Sequence, residues 1–92
     1  MPSATVVLRN KVGLHARPAA LFVQTAKQFK CLIRVKKDYL DADAKSILDV
    51  LSLGAEQGSA ITIFTDGEDA ETALRSLVNL INTNFGEQEG NS

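Results

Sequence analysis

The sequence GLHARPAA at residues 13–20 marks the point at which a loop passes into a helix. Gly13 gives the backbone freedom just before His15, the only histidine of the chain. Pro18 suits the first turn of a helix, where its missing N–H leaves no hydrogen bond unmade. The residues that follow place apolar side chains at helical spacing through Ala26. This stretch therefore predicts a helix that begins beside a histidine.

The start of this predicted helix is suited to holding an anion. The backbone N–H groups of Ala16 and Arg17 have no acceptor within a helix, and the positive end of the helix dipole attracts negative charge. Arg17 adds a permanent cation whose fork of donors matches phosphate oxygens. The neutral ring of His15 offers a nucleophilic nitrogen. This combination favours a phosphoryl-accepting histidine over the alternative for a lone histidine, which is a solvated loop residue without chemistry.

Composition describes one small domain and limits its partners. The 92 residues are 45% hydrophobic, with four Phe, one Tyr and no Trp, which predicts a core of aliphatic side chains. Ten basic and eleven acidic residues nearly cancel, so we expect no nucleic-acid surface and no polybasic membrane patch. We also expect no membrane insertion, because no apolar run approaches the length of a membrane span. Cys31 is the only cysteine, which excludes an internal disulfide and fits a cytoplasmic protein. One His and one Cys do not supply a zinc site, and we expect neither metal nor cofactor.

Hydrophobic periodicity predicts four strands and three helices. The strands are expected at 4–8, 32–36, 40–43 and 60–65, and the helices at 16–27, between Ser46 and Gly54, and at 70–83 with Asp69 as the N-cap. The order β-α-β-β-α-β-α predicts an α+β fold in which one face of the sheet carries the helices and the other faces solvent. Residues 1–86 are expected to form this domain and the polar residues 87–92 a C-terminal tail.

Ser46 precedes the second predicted helix and has Asp49 three residues later. This spacing predicts a helix N-cap with a partner of the capping-box type. A phosphoserine is also tolerated at a helix start, because the added charge meets free amides. Asp49 acts against that modification, since a carboxylate one turn from a phosphate repels it. The sequence leaves both roles of Ser46 open.

The second predicted helix carries more apolar residues than one core-facing stripe can bury. They surround nearly the whole helix and are Ile47, Leu48, Val50, Leu51 and Leu53. We expect some of them to stay exposed as a partner surface, because exposed apolar patches on small proteins mark interaction sites. The alternative is burial of all five against the last helix.

These motifs resemble the HPr family, the histidine-containing phosphocarrier proteins of the bacterial sugar phosphotransferase system. The resemblance covers almost the whole chain. GLHARPAALFVQTA at 13–26 is similar to the family's active-site loop and first helix, AKSILDVLSLGA at 44–55 to its regulatory-serine helix, and GEDAETALRSLVNLI at 67–81 to its last helix. The resemblance implies an open-faced two-layer β-sandwich whose antiparallel four-stranded sheet carries the helices on one face.

The resemblance also implies a function. A phosphoryl group would pass from phosphorylated enzyme I to Nδ1 of His15 and then to a sugar-specific IIA domain, held meanwhile by Arg17 and the amide of Ala16. The chain would be a monomeric, stoichiometric carrier and not a turnover enzyme. Packing of the first two helices side by side would form a docking surface, in which Leu48 and Leu51 lie near Ala16, Ala20 and His15.

The resemblance gives Ser46 a second role, as the substrate of an HPr kinase/phosphorylase. Asp49 departs from the family pattern, which has glycine there, and this departure leaves a regulatory paralogue open, whereas the intact His15 and Arg17 argue against an adaptor. One alternative is a regulatory paralogue that works in a nitrogen-type phosphorelay or as a transcriptional corepressor. Another is an adaptor module whose His15 is never phosphorylated.

Overall fold

The computed structural model describes residues 2–86, which form a four-stranded sheet with three helices packed on it. The strands are β1 (Ser3–Val7), β2 (Leu32–Lys37), β3 (Leu40–Asp43) and β4 (Ala60–Asp66), and the helices are α1 (Ala16–Ala26), α2 (Ile47–Ser52) and α3 (Ala70–Asn82), followed by a 3-10 turn at Asn84–Gly86. The sheet order is β1-β4-β2-β3, and all neighbouring strands are antiparallel. The predicted α+β fold and element order are confirmed. The tail predicted at 87–92 lies outside the described residues.

Alternation along the strands separates a covered face of the sheet from an open one. In β4 the side chains of Ile61, Ile63 and Thr65 are buried, while the residues between them are at most half-buried. On the open face the Nε of Arg34 donates to Asp41 at 3.0 Å. This face meets solvent, as the pattern predicts.

The core lies between the sheet and the long helices. Phe22 of α1 and Leu77 of α3 are fully buried, and the two helices contact each other while α3 also contacts β1 and β4. Phe85 is buried too, in the 3-10 turn beyond the end of α3. The helix ends at Asn82, one residue before the predicted end, because Asn84 and Phe85 adopt left-handed φ angles of +52° and +56°, which a right-handed helix cannot continue.

Asp69 occupies the N-cap position of α3, but its side chain does not cap the helix. Its carboxylate accepts hydrogen bonds from the backbone N–H groups of Lys30 and Cys31, both at 2.9 Å. The bond from Lys30, followed by contacts with Cys31, lowers the pKa of Asp69 below its usual range. The predicted capping bond is therefore wrong, because the carboxylate instead ties the start of α3 to the residues that precede β2.

Candidate functional site

The loop that leads to His15 is pressed against the segment that follows α2. Gly13 has a φ of +63°, and a Cβ atom there would collide with the carbonyl oxygen of Ala55 and lie 2.7 Å from the Cα of Glu56. Leu14 is fully buried and donates its N–H to the carbonyl of Ala55 at 2.9 Å. Only glycine fits this close approach, which fixes the backbone just before the histidine.

His15 lies at the N-cap of α1 with its side chain exposed. Its backbone is extended, with φ −131° and ψ 162°, and its side chain forms no capping hydrogen bond. Ala16, which begins the helix, has a φ of +50°, a conformation that costs a residue with a Cβ atom about 1 kcal/mol or more. The buried Leu14 and Ala19 on either side hold this turn in place. The imidazole is thus presented to solvent from a fixed backbone.

The first turn of α1 matches the predicted anion site in its donors. Within residues 2–86, the amides of Ala16 and Arg17 have no hydrogen-bond acceptor, and both side chains are exposed. The first turn carries no acidic residue. The helix start therefore offers two free N–H groups, the positive end of a dipole and a guanidinium close in sequence to the exposed imidazole.

Ser46 caps α2 as predicted. Its backbone is extended and its Oγ accepts a hydrogen bond from the N–H of Asp49 at 3.3 Å. The reciprocal half of the predicted capping box is wrong, because the N–H of Ser46 already donates to the carbonyl of Asp43. The Asp49 carboxylate instead accepts from the N–H of Asp43 at 3.2 Å. The Ser46 side chain is half-buried.

The apolar residues of α2 divide between the core and the surface. Val50 and Leu53 are buried, whereas Ile47 is 40% exposed, Leu48 is 76% exposed and Leu51 is half-buried. The prediction that some stay exposed is confirmed, and the alternative of complete burial is wrong. The helix packs mainly on β3 and on α1, and two packed sides leave part of its circumference exposed. Ala20 of α1 is half-buried.

Asn10 is a site residue that the sequence analysis missed. It is 5% exposed, and its Nδ2 donates to the carbonyl of Gly13 at 2.9 Å, while the N–H of Gly13 donates back to the carbonyl of Asn10 at 3.3 Å. The signal in the sequence is an asparagine three residues before a glycine, which is typical of a turn.

Two further observations concern metals and membranes. Within the described part of the chain, no three His, Cys, Asp or Glu side chains lie close enough together to hold a metal ion. The helices of that same part are all too short or too polar to cross a bilayer. Cys31 is buried, and burial raises the pKa of its thiol, with a further contribution from Asp69.

Known proteins resemble this chain in both sequence and fold. The family described as the PTS HPr component phosphorylation site matches residues 2–83. This match defines a class of protein, the phosphorylation-site components of the phosphotransferase system. The phosphocarrier protein HPr of Neisseria meningitidis serogroup A is 43% identical over 89 residues, which are 97% of this chain and 100% of that protein. The chain belongs to the HPr family.

Two other proteins show the range of this likeness. The HPr-like protein Crh of Bacillus subtilis is also 43% identical, over 84% of this chain and 91% of that protein. The crystal structure of HPr from Thermoanaerobacter tengcongensis has a TM-score of 0.94 at 49% identity, covering 96% of this chain and 99% of that one. Phosphocarriers and an HPr-like protein of another name thus resemble this chain to a similar degree.

Proposed function

We propose that this protein accepts a phosphoryl group from phosphorylated enzyme I on His15 and passes it to sugar-specific IIA domains. The observation that carries the proposal is the exposed imidazole at the start of α1, followed directly by the free amides of Ala16 and Arg17 and the exposed guanidinium. Donors in this arrangement suit the oxygens of a phosphoryl group. The protein works in the cytoplasm, where the free thiol of Cys31 stays reduced.

The transfer needs no general base. Nδ1 of the neutral His15 ring attacks phosphorus with its lone pair, the N–P bond forms, and the bond from phosphorus to the donor histidine of enzyme I breaks. Arg17 and the two free amides stabilise the negative charge on the equatorial oxygens. The first turn of α1 holds no carboxylate that could activate water. These features support a stoichiometric carrier and not a turnover enzyme.

The exposed side of α2 is the proposed docking surface for both partners. Leu48 and Ile47 expose apolar area there, the half-buried Leu51 extends it, and α2 packs against α1, the helix that carries Ala20 and begins at the histidine. A small apolar surface beside a charged centre suits brief association, because it gives specificity without slow release.

Phosphoryl transfer tests the main proposal. The protein is incubated with phosphoenolpyruvate and a bacterial enzyme I, beside the His15→Ala variant, and intact mass is measured before and after acid treatment. We expect an acid-labile gain of one phosphoryl group on the wild type alone. Absence of transfer with several enzyme I proteins, or equal gain on the variant, would contradict the proposal.

Ser46 is the proposed regulatory site, phosphorylated by an HPr kinase/phosphorylase. Its hydroxyl lies at the N-cap of α2 and is only half-buried, and the Asp49 carboxylate is bonded to the N–H of Asp43. Incubation with such a kinase and ATP should add an acid-stable phosphate that mass spectrometry places on Ser46. The Ser46→Ala variant is the control. An unmodified wild-type Ser46 would contradict this part of the proposal.

The second candidate function is that of a regulatory paralogue. It is favoured by the identity to Crh, which at 43% equals the identity to the HPr of Neisseria meningitidis. A further step, in which a purified IIA domain is added to the phosphorylated protein, separates the two functions. A transport carrier passes its phosphoryl group on to a IIA domain, whereas a dedicated regulator keeps it or passes it elsewhere. An adaptor that is never phosphorylated would gain no phosphoryl group at all.

A further inference from the structure

The peptide group between Gly13 and Leu14 is hydrogen-bonded through both its carbonyl oxygen and its N–H. Its carbonyl oxygen accepts a hydrogen bond from the Nδ2 of Asn10 at 2.9 Å, and its N–H donates to the carbonyl of Ala55 at 2.9 Å. A peptide group is planar, so two bonds at opposite ends fix its orientation. The next residue after this group is Leu14, which is fully buried, and the one after that is His15.

We propose that Asn10 is a positioning residue for the phosphoryl acceptor, an inference that rests on the proposed function. The Asn10 carboxamide sets the plane of the Gly13–Leu14 peptide, and the buried Leu14 side chain transmits that orientation to the extended backbone of His15. The direction of the imidazole therefore depends on a side chain five residues earlier. In-line transfer is sensitive to this direction, because the attacking nitrogen must lie opposite the leaving group.

The unpaired oxygen of the same carboxamide makes it possible to distinguish a positioning role of Asn10 from a role in stability. Asn10 is nearly fully buried, yet its Oδ1 has no hydrogen-bond partner among the described residues. An unpaired buried acceptor lowers stability, so an apolar side chain of similar size would remove that cost. The same change would also take the donor away from the Gly13 carbonyl and leave that acceptor unpaired instead, so the two effects on stability oppose each other while the positioning bond is lost. Stability and transfer are therefore expected to respond differently when Asn10 becomes apolar.

Thr65 provides a matched control. Thr65 and Asn10 are the two buried polar residues of the described chain, and the Thr65 hydroxyl donates to the carbonyl of Ala70 at 2.8 Å. It lies at the end of β4 that adjoins Pro2, whereas the histidine loop adjoins the other end, where Leu8 bonds to Ser59. Thr65→Val thus removes a buried side-chain hydrogen bond far from the histidine.

The experiment measures steady-state phosphorylation by enzyme I for the wild type, Asn10→Leu and Thr65→Val, together with urea denaturation of each. We expect Asn10→Leu to lower kcat by about tenfold to a hundredfold, the size of effect that small misplacement produces, with KM unchanged because the α2 surface is intact. Thr65→Val should keep the wild-type kcat. A wild-type kcat in Asn10→Leu, or an equal loss in Thr65→Val, would overturn the proposal.

Amide hydrogen exchange at Leu14 gives a second readout that does not depend on transfer. Loss of the Asn10 bond should speed exchange of the Leu14 N–H in Asn10→Leu and leave it unchanged in Thr65→Val. Asn10→Ala replaces Asn10→Leu in both measurements if the larger side chain prevents folding. If the wild type accepts no phosphoryl group, the proposed function fails, and this exchange then decides alone: faster exchange supports positioning by Asn10, and unchanged exchange overturns it.

Discussion

Gly13 and Gly54 have nearly the same φ angle in different surroundings. Their φ angles are +63° and +60°, but a Cβ atom would collide with the backbone of Ala55 at Gly13 and meet nothing within 4 Å at Gly54. Comparing alanine substitutions at the two positions therefore separates backbone strain from steric exclusion. Backbone strain destabilises both variants, whereas steric exclusion destabilises only the variant in the histidine loop.

Gly54→Ala should lower the free energy of unfolding by about 1–2 kcal/mol, the cost of the left-handed conformation. Gly13→Ala should lose at least about 1 kcal/mol more, because the Ala55–Glu56 backbone must move away from the new methyl group. Urea denaturation measures both values. Equal losses would show that the loop accommodates a Cβ atom and that Gly13 is needed only for its φ angle.

Asp69 makes the stability of the protein depend on pH at the acid end. The unfolded chain has a carboxyl of ordinary pKa, whereas the bonds from Lys30 and Cys31 lower the native pKa. The unfolded state therefore binds the proton first, and stability falls as the pH drops from the ordinary pKa through the lowered one. Above that window the contribution of Asp69 is fully present.

The Asp69→Asn variant should accordingly be less stable than the wild type at neutral pH, and the difference should shrink below about pH 4, where wild-type carboxyls begin to protonate. Denaturation midpoints measured across this range test the effect. Glu68→Gln, a change in an exposed neighbour, is the control for loss of one charge. A difference that stays constant with pH would show that Asp69 acts without titrating.

At the scale of the element, α2 serves two purposes with one short stretch of sequence. Leu53 is 2% exposed and anchors the end of the helix in the core, while Leu48 is 76% exposed. The same substitution at the two leucines should therefore have opposite signatures. Burial predicts a loss of stability, and exposure predicts a loss of partner binding.

Leu53→Ala should cost about 2–5 kcal/mol of stability. Leu48→Ala should change stability by less than about 0.5 kcal/mol, as exposed positions do, but raise the KM of enzyme I for the protein. Denaturation and steady-state transfer distinguish the two. An unchanged KM in Leu48→Ala would remove that side chain from the docking surface.

The elements were predictable from the sequence because each has a clear periodicity, and their bounds agree to within one or two residues. Local patterns do not reveal distant partners, however. The carboxylate of Asp69 bonds to amides of Lys30 and Cys31, which are 39 and 38 positions away, and a local cap was predicted instead. Asn10 was missed for a related reason, since its burial depends on the packing of the whole loop. The sequence also leaves the sheet order undetermined, because the pattern of each strand does not say which strands pair, and the order β1-β4-β2-β3 comes from the structure.

At the scale of the molecule, the sheet has two free edges, β1 and β3, of five and four residues. Edges this short offer few unpaired backbone groups to a second copy, and we expect a monomer. Light scattering coupled to size exclusion measures the mass in solution. A stable dimer at micromolar concentration would contradict this expectation and make the β1 and β3 edges the first places to look for the contact.

Phe85 is the last buried residue of the described chain, and the proposed domain boundary follows at residue 86. It is 2% exposed and packs at a φ of +56°, so burial holds it in a conformation that its backbone alone disfavours. Deleting residues 87–92 should leave the melting temperature unchanged. Phe85→Ala, in contrast, should lower the free energy of unfolding by about 3–5 kcal/mol. Tyr39→Ala is the matched control, because that aromatic ring is fully exposed. Thermal and urea denaturation test all three. A large loss on deletion would move the boundary of the domain beyond residue 86 and make the predicted tail part of the fold.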